Sequence, residues 1–194
     1  MPQHRAGLAV HGAEVATEAS SCTRCRLAEN RTHVVFGMGD STSKLMFVGE
    51  GPGAEEDRQG LPFVGRSGQL LDRLIRQEIG ITRNSCYIAN VVLCRPPGNR
   101  DPMPDEIEAC NPYLEAKLEL IEPEVVVTLG NFATRRLLGT SEGISRVRGR
   151  SYPFRGGQLV PTYHPSAALR GGGEILAQMR ADFVRAKQLL SETV

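Results

Sequence analysis

The stretch Leu45-Met-Phe-Val-Gly-Glu-Gly-Pro-Gly53 decides the fold class of this 194-residue chain. Four apolar residues pass directly into a glycine-rich loop, and a helical pattern follows at 67–80. A short apolar strand that leads through a loop into an amphipathic helix is typical of a parallel sheet with helices on both faces. The sequence therefore predicts an α/β fold whose first strand is 45–48.

The same strand-then-helix pattern recurs three more times along the chain. The predicted strands are 86–92, 125–129 and 159–163, and the helices that follow them are 104–122, 131–138 and 174–190. This alternation predicts a central, mainly parallel four-stranded sheet within one domain of residues 13–194. Residues 1–12 carry no clear pattern, and we expect this N-terminal segment to be mobile.

Composition excludes several classes of protein. The chain has 23 basic residues, 22 acidic residues and 40% hydrophobic residues, which is an ordinary globular composition rather than a disordered or collagen-like one. No apolar run approaches the ~18 residues of a membrane span, and the N-terminal residues lack the apolar stretch of a signal peptide. We therefore expect a cytoplasmic protein without membrane contact.

The near-zero net charge hides an asymmetry along the chain. Residues 1–130 carry a net charge of −5, whereas residues 131–194 carry a net charge of +6. A basic segment of this kind is typical of a surface that faces a polyanion, and an ordinary solvated face of an arginine-rich chain gives the same pattern. Charge alone leaves both interpretations open.

Four of the five cysteines have the spacing of a split metal site. Cys22 and Cys25 form a C-x-x-C pair, and Cys94 and Cys110 lie far downstream. Thiolates are soft ligands that suit zinc or an iron–sulfur cluster, and the 15 residues between Cys94 and Cys110 depart from the second tight pair of a zinc ribbon. A redox-active pair is less consistent with the position of the C-x-x-C motif, because the motif does not end a βα unit. Cys86 lies in an apolar run and is predicted to be a core residue.

Polar residues follow the predicted strands and point to one edge of the sheet. Glu50 follows the first strand, Asn90 lies near the end of the second, and Asn131 and His164 follow the third and the fourth. Because ligands of parallel sheets bind at the carboxyl ends of the strands, these side chains are candidates for one site. Each has an ordinary structural explanation when taken alone, and their arrival at one edge favours a site.

The glycine-rich loop is a poor cradle for phosphate. It reads G-x-G-x-G without a following G-K-[ST], and Pro52 has no backbone N–H to donate. A loop of small residues also allows a flat ligand to lie against the backbone, where Phe63 could stack on it and Asn90 could pair with the edge of a nucleobase. Core packing is the alternative explanation for Phe63.

Four motifs, taken in order, closely resemble those of the family 4 uracil-DNA glycosylases. They are Gly49-Glu-Gly-Pro-Gly53, Gly60-Leu-Pro-Phe-Val-Gly65, Tyr87-Ile-Ala-Asn90 leading into Cys94-Arg-Pro-Pro97, and His164-Pro-Ser166. The resemblance implies a three-layer α/β/α sandwich and a DNA repair enzyme that flips uracil out of DNA and hydrolyses its N-glycosidic bond, leaving an abasic site. It also implies one 4Fe-4S cluster per chain, bound by Cys22, Cys25, Cys94 and Cys110.

The same resemblance implies a role for each candidate site residue. The catalytic residues would be Glu50, which would orient the attacking water, and His164, which would donate a hydrogen bond to uracil O2. Uracil would be bound by the backbone of Glu50, Gly51 and Pro52, by the stacked ring of Phe63, by the amide of Asn90, and by Glu56, which would exclude the methyl group of thymine. The DNA would be contacted by Arg148, Ser166, Leu169 and Arg170.

The partners implied are uracil-containing single- and double-stranded DNA, and the protein is expected to be a monomer. The sequence carries no readable signal for a replication-clamp partner. Two alternatives stay open. A relative that crosslinks to uracil-DNA would have a Gln in the glycine-rich loop and a basic insertion after the second strand, whereas this chain has Glu50 and the short segment 98–101. The other is a non-enzymatic iron–sulfur module that binds nucleic acid.

Overall fold

The computed structural model describes residues 12–192 of the chain, so the expectation for the N-terminal segment lies outside the described residues except at residue 12. The strands are β1 Met38–Gly39, β2 Leu45–Gly49, β3 Tyr87–Asn90, β4 Val125–Leu129, β5 Tyr152–Phe154 and β6 Gly157–Thr162. The helices are α1 12–20, α2 Ala54–Gln59, α3 Arg66–Leu74, α4 Pro104–Ile121, α5 Asn131–Leu138, α6 Ile144–Val147, α7 Pro165–Gly171 and α8 Gly173–Glu192. A π-helical turn, Ile75–Ile79, continues α3.

The sheet is mixed and has six strands, so the α/β class is confirmed and the predicted number of four strands is wrong. The four predicted strands form its parallel centre in the order β3-β2-β4-β6. The short strands β1 and β5 pair antiparallel at the two edges. Sequence reasoning missed them because β1 has only two residues and β5 contains Pro153, so neither has the apolar run that reveals a strand.

Helices cover both faces of the sheet. On β2, Met46 and Val48 belong to one cluster of buried side chains, whereas Leu45 and Phe47 belong to a second cluster. Helices α1, α4 and α5 contribute to the first cluster, and α3, α7 and α8 contribute to the second. A strand that is buried on both faces is apolar at every position, which is why the four central strands are readable in the sequence.

No helix within residues 12–192 is long and apolar enough to cross a membrane.

An internal ion pair holds the segment after α6 against α8. Arg148 donates to both carboxylate oxygens of Asp182, at 2.9 and 2.8 Å, and to the carbonyl oxygen of Gln178 at 3.0 Å. The side chain of Asp182 is 1% exposed and that of Arg148 is 15% exposed. The family resemblance implies a place for Arg148 on the DNA surface, whereas in the structure its guanidinium pairs internally with Asp182.

We predict that Arg148→Met lowers the free energy of unfolding by roughly 3–5 kcal/mol, because it leaves the carboxylate of Asp182 buried without a partner. Denaturant-induced unfolding measures this change. Arg146→Met is the matched control, since Arg146 is exposed two residues away and its loss should change stability by less than about 0.5 kcal/mol. Equal effects of the two substitutions would contradict the prediction.

Candidate active site at the carboxyl edge of the sheet

A cleft of about 580 Å³ opens where the parallel strands end. Its walls come from the segments that follow β2, β3, β4 and β6 and from the loop before α3. The residues predicted from sequence that line it are Glu50, Gly51, Pro52, Glu56, Phe63, Asn90, Asn131, His164, Ser166 and Arg170. Leu169 lies beside this lining with its side chain 43% exposed. The structure thus brings together residues that are separated by more than a hundred positions in the chain.

The side chain of Asn90 is almost fully buried and has an unused hydrogen-bond acceptor. It is 1% exposed, and its Oδ1 has no hydrogen-bond partner among the described residues. A Cβ atom at Gly49, which pairs with Asn90 across β2 and β3, would lie 2.5 Å from Asn90 Oδ1 and 2.5 Å from Phe63 Cζ. Since a buried acceptor without a partner costs free energy, this atom fits a ligand that brings an N–H group into the cleft.

The backbone of the glycine-rich loop is fixed by an extension of the strand pairing. The N–H of Val91 donates to the Gly49 carbonyl oxygen at 2.9 Å, and the N–H of Val92 donates to the Glu50 carbonyl oxygen at 3.0 Å. A Cβ at Gly51 would lie 2.7 Å from Val92 Cγ2, so a larger residue would push the loop away from β3. These contacts hold the start of the loop against one wall of the cleft.

His164 is a neutral imidazole whose tautomer is set by its own helix. It caps the N terminus of α7, where its Nδ1 accepts the backbone N–H of Ser166 at 3.2 Å and lies 2.8 Å from Ser166 Oγ. Burial, followed by the positive charge of Arg170, lowers the pKa of His164 to about 4, against an opposing effect of Glu56. Because Nδ1 is the acceptor, the proton is assigned to Nε2, which makes that atom a hydrogen-bond donor.

The pKa of Glu50 is shifted upward, in the opposite direction to that of His164. Burial, with a smaller contribution from the negative charge of Asp101, raises its pKa to about 7. The loop that carries Asp101 is anchored by Arg100, which donates to the two carboxylate oxygens of the buried Glu106 at 2.8 and 2.6 Å. Glu50 therefore gains and loses its proton near neutral pH.

Glu56 ties together two segments of the cleft wall. Its Oε1 accepts the backbone N–H groups of Val64 and Gly65, both at 2.9 Å, and its Oε2 accepts that of Gly53 at 3.2 Å. The carboxylate is therefore fixed in position where it lines the cleft. Sequence reasoning had assigned it a steric role only, and this structural role depends on a loop that lies eight residues away.

Phe63 lies in the loop that Glu56 holds. Its ring is 5.8 Å from the His164 ring between centroids, with an angle of 35° between the planes, and its backbone has φ +52°. The residue is 5% exposed and belongs to the cluster of buried side chains under α3 and α8. Phe63 is thus both a core residue and part of the cleft lining.

Four of the five cysteines line a second, small cavity that shares no lining residue with the cleft. They are Cys22, Cys25, Cys94 and Cys110, and Cys86 lies in the core on the other face of the sheet. Burial raises the pKa of the Cys25 and Cys94 thiols, and raises that of Cys110 to about 11. Residues 12–192 contain no group of three or more His, Cys, Asp or Glu side chains that could hold a metal ion in the arrangement present.

The surroundings of these cysteines suit thiolate ligands. Arg31 donates to Cys94 Sγ at 3.6 Å and to the Cys22 carbonyl oxygen at 2.6 Å. A guanidinium beside a sulfur stabilises the thiolate form, and a bound metal centre supplies the remaining positive charge that buried thiolates require. The donor type and the guanidinium neighbour therefore suit a thiolate-bound group, whereas the described side chains do not form a metal site in the arrangement present.

Comparison with known proteins identifies the family. The sequence model of the "Uracil DNA glycosylase superfamily" matches residues 36–189. The chain belongs to this superfamily. It is 45% identical over 181 residues to the type-4 uracil-DNA glycosylase of Thermotoga maritima, covering 92% of this chain and 94% of that protein. It is 43% identical over 164 residues to the type-4 uracil-DNA glycosylase of Sulfurisphaera tokodaii (80% and 74% of the two chains), and 33% identical over 165 residues to the type-5 uracil-DNA glycosylase of Thermus thermophilus (75% and 74%). The resemblance to family 4 is confirmed.

The cleft of this uracil-DNA glycosylase family member also contains residues that sequence reasoning missed. Asp101, Ser67 and Phe132 line it. Asp101 and Ser67 do not follow a strand directly, so a search for polar residues at the carboxyl ends of strands does not find them. Phe132 comes two residues after Gly130 in the segment after β4, and this position near a strand end is the sequence signal that could have identified it as a cleft residue.

Proposed function

We propose that this protein is a uracil-DNA glycosylase that holds a flipped uracil in the cleft and hydrolyses its N-glycosidic bond. The observation that carries the proposal is the convergence of Glu50, Asn90 and His164 on one cleft in a chain of this superfamily. We further propose that it acts in the cytoplasm, as a monomer, on uracil in single- and double-stranded DNA.

Recognition of uracil rests on the buried amide of Asn90. Its unpartnered Oδ1 is an acceptor for uracil N3–H, and its Nδ2 is a donor for uracil O4. Phe63 stacks on the base, and the backbone of Glu50, Gly51 and Pro52 forms the wall against which the base lies. Cytosine has no N3–H to donate to Asn90 Oδ1. Its 4-amino group is a donor and would face the donor Nδ2 of Asn90, so neither hydrogen bond forms.

Bond cleavage separates charge, and the cleft supports both parts. The bond between uracil N1 and deoxyribose C1′ breaks, and its electron pair leaves with uracil. His164 Nε2–H donates to O2, where negative charge develops, and a neutral donor is suited to this because its pKa of about 4 keeps it unprotonated at Nδ1. Glu50, in its carboxylate form, orients the water whose oxygen adds to C1′. The proton that this water releases balances the proton that the departing uracil anion takes up.

Selectivity against thymine is assigned to Glu56. Thymine differs from uracil by a methyl group at C5, and a side chain excludes this group only when it cannot move aside. The three backbone N–H groups that Glu56 accepts hold its carboxylate in place, which supports a role as a fixed steric barrier.

Contacts with DNA are assigned to α7 and its neighbourhood. Ser166 and Arg170 line the cleft, where a guanidinium suits phosphate oxygens. The Ser166 hydroxyl lies 2.8 Å from His164 Nδ1, so it donates to a phosphate oxygen only when it turns away from that ring. The exposed side chain of Leu169 suits insertion into the gap that the flipped nucleotide leaves. Arg148 is left out of this surface because Asp182 neutralises its charge.

The four clustered cysteines are assigned to a 4Fe-4S cluster. When bound, the cluster supplies a structural cross-link between the segment after α1, the loop after β3, and α4. None of the four cysteines lines the cleft, which supports a role in holding the fold rather than in the hydrolysis itself.

The proposal is tested by incubating the protein with uracil-containing single- and double-stranded oligonucleotides, followed by alkali. Strand cleavage at uracil is the expected result. Retained DNA binding without cleavage would contradict the proposal and favour a non-enzymatic module. An adduct that resists denaturation would contradict it in favour of the crosslinking relative.

We predict that His164→Ala lowers kcat by about 100- to 1000-fold, which is the effect of removing one donor to a developing oxyanion. Asn90→Ala should also lower kcat/KM for uracil by at least about tenfold, because two hydrogen bonds to the base are lost. Single-turnover kinetics on a uracil oligonucleotide measures both. Asn84→Ala, at an exposed position outside the cleft, serves as the control. Near-normal rates for either cleft variant would remove that residue from the assigned role.

The activity should depend on pH through Glu50. Its raised pKa of about 7 means that the carboxylate form is lost as pH falls through 7, so kcat/KM should decrease on that side. Asp101→Asn removes a negative charge that raises this pKa, and the acidic limb of the pH–rate profile should therefore move to lower pH. Glu55→Gln is the control, because Glu55 is exposed and pairs with Arg58. An acidic limb that stays in place in Asp101→Asn would contradict this role for Glu50.

The purified protein should contain about four iron atoms and four inorganic sulfides per chain when prepared anaerobically. Cys110→Ala should lose the iron, whereas Cys86→Ala, which removes the thiol outside the small cavity, should retain it. Iron and sulfide analysis with visible absorption measures both variants. A colourless protein that contains zinc and no iron would contradict the cluster assignment.

A further inference from the structure

We infer that Arg83 is a positioning residue for Phe63, and that it sets the plane of the ring on which the substrate base stacks. Arg83 is not among the residues that line the cleft, and it lies outside the sequence motifs of the family. The inference rests on the proposed function, because stacking of a base on Phe63 is part of that proposal.

The guanidinium of Arg83 binds the carbonyl groups of the two successive peptide units that flank the Phe63 Cα, Pro62–Phe63 and Phe63–Val64. Its Nη2 donates to the Pro62 carbonyl oxygen at 2.7 Å, and its Nη1 donates to the Phe63 carbonyl oxygen at 3.0 Å. Two parallel donors on two successive carbonyl groups restrict the rotation of the segment that carries the ring. A lysine, which has one nitrogen on a flexible stem, does not reproduce this planar fork.

The segment needs such a restraint because Phe63 has an unfavourable backbone conformation. Its φ of +52° lies in the left-handed region, where an L residue with a large side chain persists only when its surroundings hold it there. Arg83 holds the carbonyl groups, whereas Glu56 holds the N–H groups of the next two residues, Val64 and Gly65. Two side chains of opposite charge therefore fix the two sides of one turn.

Helix α3 lies directly behind the same turn. A Cβ atom at Gly68 would lie 1.8 Å from the Phe63 carbonyl oxygen, so the backbone of α3 is as close to the turn as a glycine allows. The Phe63 carbonyl group is thus enclosed between α3 and Arg83. Loss of the guanidinium would leave this oxygen without that donor and would release one side of the turn.

The guanidinium is itself held in place. Arg83 Nη1 lies 3.2 Å from Asp72 on α3, and Nη2 lies 3.1 Å from Met38 Sδ on β1. The Arg83 side chain is 16% exposed and that of Asp72 is 26% exposed, so water competes little for the pair. Arg83 therefore transmits the positions of α3 and β1 to the ring of Phe63.

The experiment compares Arg83→Met, Arg83→Lys and the control Arg76→Met in the full-length protein. Arg76 is exposed on the π-helical turn after α3 and outside the cleft. The readouts are kcat, KM, inhibition by free uracil, and unfolding by heat. Since a displacement of about 1 Å can change rates by about 100-fold, Arg83→Met should weaken inhibition by uracil and lower kcat by roughly 10- to 100-fold, with Arg83→Lys between it and the unchanged protein. Arg76→Met should leave both unchanged.

An effect on thermal unfolding with unchanged inhibition by uracil would overturn the inference, because it would show a purely structural role. If Arg83→Met does not fold, the same criterion applies to Arg83→Lys, which keeps the positive charge. Phe63→Ala provides the second test. When the ring is absent, adding Arg83→Lys should change uracil inhibition by less than about twofold, and fully additive effects would overturn the inference.

Uracil release by the protein without substitutions distinguishes failure of the proposed function from failure of this inference. Failure of that protein to release uracil would contradict the proposed function. Release by the unchanged protein, together with normal uracil inhibition in both Arg83 variants, would contradict only the role of Arg83.

Discussion

The cleft depends on one close approach, between Gly49 at the end of β2 and the side chains of Asn90 and Phe63. Strand pairing places Gly49 directly opposite Asn90, and the amide and the aromatic ring occupy the space that a Cβ atom would need. Any side chain at position 49 would force at least one of them out of place. The shape of the base-binding wall therefore depends on the missing Cβ atom of Gly49, at the carboxyl end of an inner strand of the sheet.

Burial at this edge acts in opposite directions on the two candidate catalytic residues. Removal from water disfavours the charged form of any group, so it raises the pKa of the Glu50 carboxyl group and lowers that of the His164 imidazole. The result is a neutral hydrogen-bond donor and a carboxyl group that titrates near 7 in the same cleft. Neither state is a property of the residue type, because both depend on how the surrounding segments enclose the groups.

Several charged side chains of this protein bind backbone groups or other charged side chains rather than a ligand. Glu56 accepts from three backbone N–H groups, Arg83 donates to two carbonyl groups, and Arg148 neutralises a buried carboxylate. In the sequence, Arg148 is part of the basic segment 131–194, which suggested a surface that faces a polyanion. Its ion pair with Asp182 shows why a count of charges overestimates such a surface, since it does not show which charges are paired internally.

The sequence by itself determined the four central strands, the helices α3, α4, α5 and α8 that alternate with them, and the edge at which polar residues meet, because a strand buried on both faces leaves a continuous apolar run. It also determined the family through the motifs at Gly49–Gly53 and His164–Ser166. The tertiary structure alone decided the edge strands β1 and β5, the influence of Asp101 on Glu50, and the partners of Glu56, Arg83 and Arg148. Each of these joins segments that are distant in the chain or too short to leave a pattern, so its energy depends on distances and burial that appear only when the chain has folded.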